Sequence, residues 1–224
     1  MNGHTLQQIK TKIKNVKPIY LLNSYIFPNK NPVVYYGLRG KFIFIRLHKV
    51  GGTSISEALG IRKCHHTTKE AISLVGKYNW NRCYTFAFVR NPFSKVVSAY
   101  NYFCLKNRQS MAVKPISFDN WVRKTYGDEK DPVYYYSARW FQSQSDWLKD
   151  FNGELSLNKI GKLENIREDF KEICEKIKIE VAVPHLNKSK KVDYRSFYNH
   201  DTYEIVRKWH EEDLINFDYD FDNG

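Results

Sequence analysis

Two segments of the chain repeat one order of residues, and that repetition constrains the fold more than any other feature. Phe42-Ile43-Phe44-Ile45 is a continuous apolar run, as expected of a strand covered on both faces. The loop HKVGGTS (residues 48–54) follows. Ile55, Ala58 and Leu59 then suit a helix, and Gly60 is placed to end it. The order returns with Tyr84-Thr85-Phe86-Ala87-Phe88-Val89, then Arg90-Asn91-Pro92, then Phe93, Val96, Val97 and Tyr100 at helical spacing. Asn91 can cap that second helix, and Pro92 suits its first turn. Two strand–loop–helix units in succession predict an α/β fold: a three-layer, P-loop-like arrangement with a central parallel sheet flanked by helices.

The rest of the chain reads less clearly. Residues 106–132 look irregular, with one short helix around Phe118–Val122. Asn152-Gly153 reads as a tight turn. Asn165 with Glu168 predicts a helix start, and Ile166, Phe170, Ile173 and Ile177 give that helix a buried face. Asp201 with Glu204 predicts the start of a last helix carrying Ile205 and Trp209. No repeat and no linker divides residues 41–224, which read as a single domain behind a basic segment, residues 1–40. In that segment Leu6, Ile9, Ile13 and Val16 recur at helical spacing among Lys10, Lys12, Lys14 and Lys17. Such a stripe is either a helix packed on its own domain or one making peripheral contact with an anionic membrane.

Aromatic residues make up 16% of the 224, too many for a disordered chain. Lys and Arg total 36 against 24 Asp and Glu, a net charge of +12. That surplus favours an anionic partner: a nucleic acid, an acidic polysaccharide, a phosphorylated nucleotide or an anionic membrane. Cys64, Cys83, Cys104 and Cys174 form no CxxC pair and read as reduced thiols. No apolar run reaches the roughly 20 residues of a membrane span, and the N-terminus lacks a signal-peptide pattern. The expectation is a cytoplasmic protein, with the inner membrane surface as a place of contact for the basic segment.

Both loops read as anion sites. A glycine turn entering a helix lets the backbone wrap an anion and points free N–H groups at it. Here Gly51 and Gly52 supply the wrap, Thr53 and Ser54 the hydroxyls, and Lys49 the charge. Lys49 precedes the glycines, unlike the lysine of GxxxxGK[ST], so the match to nucleoside triphosphatases is poor. The second strand ends in Arg90 where a triphosphatase holds a metal-binding Asp, and the neighbouring sequence has no carboxylate. Arg90 and Ser98 suit a second phosphate. Two anion sites at neighbouring strand ends, without a metal ligand, point to a nucleotide with two separate phosphate groups.

HKVGGTS followed by FAFVRNPFSKVVSAY (residues 86–100) resembles the paired motifs of the sulfotransferases. QSDWLKDFNGELSLNKIGKLENIREDF (residues 144–170), PHLNKS (184–189) and DLINFDYDF (213–221) look similar to carbohydrate sulfotransferases of the chondroitin and dermatan type and their bacterial relatives. The family often has Pro where His48 stands and Arg where Lys162 stands. The resemblance implies a sulfotransferase that uses 3′-phosphoadenosine 5′-phosphosulfate, without a metal, to sulfate a carbohydrate hydroxyl. It implies that Lys49, Val50, Gly51, Gly52, Thr53 and Ser54 form the 5′-phosphosulfate loop, with Lys49 on the leaving oxygen, and that Arg90 and Ser98 bind the 3′-phosphate. Family members place a His-x-Thr motif carrying the base near Cys64-His65-His66-Thr67-Thr68. His65 fits best, His66 is its rival, and His48 is a third candidate. Arg139, Trp140, Gln142, Gln144 and Trp147 fall in the acceptor-side region, although Trp140 and Trp147 equally suit a core. The His-Cys cluster fits no standard zinc spacing. Two other readings stay open: a nucleotide-dependent kinase, which predicts magnesium dependence, and a non-catalytic RNA- or polyanion-binding module, which predicts salt-dependent binding.

Overall fold

Both apolar runs form strands, and the sheet they start gathers the chain around it. The computed structural model describes residues 34–37, 40–105, 111, 114–182 and 193–223. The stripe of Leu6, Ile9, Ile13 and Val16 and the segment PHLNKS lie outside the described residues. Among the described residues the sheet has four strands in the order β1 (Val34–Gly37), β2 (Gly40–Ile45), β3 (Tyr84–Val89) and β4 (Lys159–Lys162). Strands β2, β3 and β4 are parallel, while β1 runs antiparallel along the edge of β2. β1 therefore brings part of the segment before residue 41 into the sheet. Phe86, Ala87, Phe88 and Val89 are all fully buried, so both faces of β3 are covered.

The helices are α1 (Gly52–Ala58), α2 (Thr68–Val75), α3 (Lys77–Trp80), α4 (Pro92–Leu105) and α5 (Phe118–Tyr126). After them come α6 (Ala138–Phe141), α7 (Gln144–Leu148), α8 (Ile166–Ile177), α9 (His200–Trp209) and α10 (Glu211–Asn216). One hydrophobic cluster joins the sheet to α1, α2 and α8. A second, mostly aromatic cluster joins α4, α5 and α9, and Leu214 of α10 packs against both. Among the described residues no helix is long and apolar enough to cross a membrane.

Side chains cap five of the ten helices just named. The Asn91 carboxamide oxygen accepts from the N–H groups of Phe93 and Ser94, so Asn91 caps α4 behind Pro92 as expected. Asn152-Gly153 closes a turn whose Asp150 N–H donates to the Glu154 carbonyl. Three expectations change. α8 does begin at Ile166, but Asn165 contributes no side-chain cap, because a 3₁₀ turn, Leu163–Asn165, runs straight into the helix. α9 is capped two residues earlier than expected, by Asn199 with Thr202 in a reciprocal capping box. Asp201 instead pairs with Arg123 at 2.7 Å and Glu204 with Arg207 at 3.0 Å, and α10 follows as a further helix. α5 runs to Tyr126 rather than Val122, starting from a Ser117 cap. β4, with the sequence KIGK, carries too little apolar pattern to be read as a strand. Its Gly161 is set by close approach: a Cβ there would lie 2.8 Å from the Phe88 ring.

Candidate functional site

The carboxyl ends of β2, β3 and β4 open on one edge of the sheet, where ligands of open α/β sheets bind. The glycine turn leaves β2 through two left-handed residues, Lys49 at φ 63° and Gly51 at φ 76°. For a lysine this conformation is strained, a cost of about 1–3 kcal/mol that the surrounding packing must hold in place. Val50, between them, is fully buried and anchors the turn in the core, so only its backbone faces the site. α1 begins at Gly52 with no side-chain cap, which leaves the amides of Gly52, Thr53 and Ser54 without helical acceptors.

Arg90 emerges from β3 and points its guanidinium back at this turn. Its Nη1 donates to the Lys49 carbonyl at 3.4 Å, and its Nε and Nη2 donate to Ser94 Oγ at 2.9 and 2.7 Å. Ser98 lies one helical turn beyond Ser94 on the same side of α4, partly exposed. Tyr102, a further turn along, lies under the Lys49 ammonium at 4.4 Å from its ring centre. Burial, and then the Arg90 charge, lower the Lys49 pKa to about 8. Burial lowers the Arg90 pKa as well. Two cations are thus held near one another, and neither forms an ion pair with a carboxylate among the described residues.

Arg46, the first residue after β2, ties this turn to the histidines. Its Nη2 donates to Thr53 Oγ1 at 2.8 Å, and its Nη1 lies 2.9 Å from His65 Nε2. Guanidinium only donates, so Nε2 accepts, and Nδ1 then carries the hydrogen that points at the Arg46 carbonyl 3.2 Å away. Burial first, and Arg46 second, lower the His65 pKa to about 4. The His48 ring stacks on His65 and on Trp140, each at 4.0 Å between centres. Burial, then His65, bring the His48 pKa to about 3. The strap carrying His65 is fastened from behind. Arg139 donates to the His65 carbonyl at 2.6 Å and forks onto both oxygens of Glu70 at 2.7 Å. The Trp147 indole N–H donates to the His66 carbonyl at 3.0 Å.

The structure thus brings Lys49, Gly51, Gly52, Thr53, Ser54, Arg90 and Ser98 to one edge, with His48 and His65 beside them. His66 turns its carbonyl to Trp147 and makes no ring contact among the described residues. Two acceptor-side expectations need correction. Gln144 is fully buried: its Oε1 accepts from the Arg90 N–H at 3.0 Å and its Nε2 donates to the Arg90 carbonyl at 2.8 Å. Trp147 is 2% exposed. Neither has surface to offer an acceptor. Arg139 is engaged by Glu70, and Trp140 is partly exposed on the His48 stack. The Gln142 carbonyl accepts from the buried Lys95 at 3.3 Å. Nor is the end of β3 free of carboxylates: Glu164, arriving after β4, accepts from the Asn91 N–H at 3.0 Å and from the Tyr219 hydroxyl at 2.7 Å. With both oxygens used this way it acts as a brace, and the described residues contain no metal-binding cluster of His, Cys, Asp or Glu. Sequence reasoning missed Arg46, Ser94 and Glu70. Arg46 had one signal, a charge directly after a buried strand.

A glycine turn, an inward arginine and a histidine gather at the carboxyl edge of a mainly parallel sheet, which makes this an α/β protein with a cationic, donor-rich strand edge. The chain matches the sulfotransferase family over residues 38–220 and belongs to it. Among solved structures it is similar to a sulfotransferase from Alicyclobacillus acidocaldarius, at 14% identity over 79% of this chain and 98% of that one. Their TM-score is 0.39, too low for that likeness to carry an argument. No curated protein matches the chain.

Proposed function

We propose that this sulfotransferase takes its sulfuryl group from 3′-phosphoadenosine 5′-phosphosulfate and places it on a carbohydrate hydroxyl. The observation that carries the reading is the direction of Arg90, turned toward the glycine turn rather than away from it. The donor set fits a doubly phosphorylated nucleotide. Burial, and then the Arg90 charge, lower the Lys49 pKa, and neither cation makes an ion pair with a carboxylate among the described residues; an anion between them relieves this crowding of charge. Gly52 leaves the turn clear for the Arg46 stem, which a Cβ there would meet at 2.8 Å.

Bound there, the nucleotide supplies a sulfuryl group and a phosphate oxygen as leaving group. Lys49 neutralises charge on that oxygen, helped by the amides of Gly52 to Ser54. Arg90 and Ser98 grip the 3′-phosphate. His65, with Nδ1 protonated and held by the Arg46 carbonyl, takes the acceptor proton on Nε2. Arg139 and Glu70 act as positioning residues behind it. Trp140, partly exposed beside His48, suits the face of a sugar ring.

The test is calorimetry with adenosine 3′,5′-bisphosphate in the absence of magnesium. Micromolar binding that weakens by at least tenfold in Arg90→Ala supports the reading. Binding that requires magnesium, or that ignores Arg90, favours the kinase reading instead.

A further inference from the structure

We propose that Arg46 is a donor-dependent latch on His65: its guanidinium occupies the basic nitrogen until the sulfuryl end of the donor reaches Thr53, then turns to that anion and frees the base. The inference rests on the reading above and concerns a residue to which that reading gives no catalytic part.

One guanidinium spans two loops. Nη2 is on Thr53, in the glycine turn, and Nη1 is on His65 Nε2, 19 residues away in sequence. Its stem crosses the turn where Gly52 has no side chain; a Cβ at 52 would meet Arg46 Cγ at 2.8 Å and Nε at 2.9 Å. A base needs an open lone pair, and in this state Nε2 has given its own to a cation that cannot deprotonate. His65 as it stands is therefore disarmed. The same fork is the group best shaped to take two oxygens of an oxyanion. An anion arriving at the Thr53 hydroxyl lies against the other limb of that fork and competes directly for it. The other charged and titratable groups near His65 are Arg139, already answered by Glu70, and His66 and His48. None of them donates to Nε2 among the described residues. The consequence is an order of events: acceptor hydroxyls are not activated until the donor is seated.

Nuclear magnetic resonance titration of His65 tests this with the intact chain, using the nucleotide donor without acceptor. Calorimetry on the same samples reports whether the donor binds. In the donor-free protein His65 titrates low; donor binding is expected to raise its pKa by about one unit or more. Arg46→Gln is expected to raise it similarly with no nucleotide present, and in that variant the donor adds much less. Arg46→Lys keeps the charge but loses the fork, and behaves like Arg46→Gln at Nε2. Equal donor-induced rises in the native protein and Arg46→Gln would mean simple charge attraction and would overturn the latch. Donor binding that leaves His65 of the native protein unmoved overturns it without any variant. Failure to bind the donor at all refutes the donor reading, and the latch with it.

Discussion

Replacing Gln144 by Ala separates a structural role from an acceptor-binding one. The Gln144 side chain is fully buried and closes both hydrogen-bonding groups of the Arg90 backbone, at 3.0 and 2.8 Å. Truncation leaves that N–H and C=O without partners at the end of β3. The two Asp213 contacts to the backbone amides of Gln144 and Ser145, at 2.9 and 2.6 Å, persist in the variant. Each lost bond contributes about 0.5–1.5 kcal/mol net, more where the partner stays dry. The vacated volume adds about 1 kcal/mol. The sum is about 3 kcal/mol, which for a chain of this size lowers the melting temperature by roughly 6–12 °C. Urea unfolding followed by circular dichroism is the assay, with the midpoint falling and the slope unchanged. Because the same bonds aim Arg90, affinity for adenosine 3′,5′-bisphosphate falls as well. A variant as stable as the native protein, with only a raised KM for acceptor, would refute this account and restore Gln144 to the acceptor site.

Three further outcomes are expected. Lys49→Ala lowers turnover by roughly 10²–10³ while leaving the fold intact, measured by transfer of labelled sulfate; normal turnover would remove Lys49 from the leaving oxygen. Gly52→Ala drives a methyl into Arg46, so activity and nucleotide affinity both drop with little change in circular dichroism; an unaffected enzyme would show that the Arg46 stem has room to move. Stability declines as the solution is acidified from neutrality toward pH ~4, read from urea midpoints. His48, His65 and His210 are all held below the ordinary histidine pKa, in each case first by burial. The unfolded chain, whose histidines titrate near ~6.5, binds more protons in this range and is favoured. Asp213 extends the loss at lower pH: burial acts upward on its pKa but is outweighed by His210 and Lys95, which bring it to about 2. Midpoints that stay level across this range would contradict the assignment of these histidines as neutral.

Much of this site was readable from local chemistry. The glycine turn needs only the order Lys49, Val50, Gly51, Gly52 and a helix after it. Asn91 and Pro92 announce α4 and so place Arg90 at a strand end. Long apolar runs gave β2 and β3 away for the same reason, while β4, four residues with one buried position, did not. Trp147 illustrates the opposite limit. An indole in an acceptor-side segment suits a sugar face or a core equally well from sequence, and only its 2% exposure decides.

The order of residues alone was enough to establish an α/β chain with a glycine turn and an arginine at neighbouring strand ends, because turns, caps and apolar runs are written within a few neighbouring positions. Only the tertiary structure could pair Arg46 with His65, Arg139 with the carbonyl of His65 and Gln144 with Arg90, groups separated by 19, 74 and 54 positions. Those pairings follow from how parallel strands and their crossover helices dock. Hydrogen bonds at that range answer to distance in space, and no local pattern encodes it.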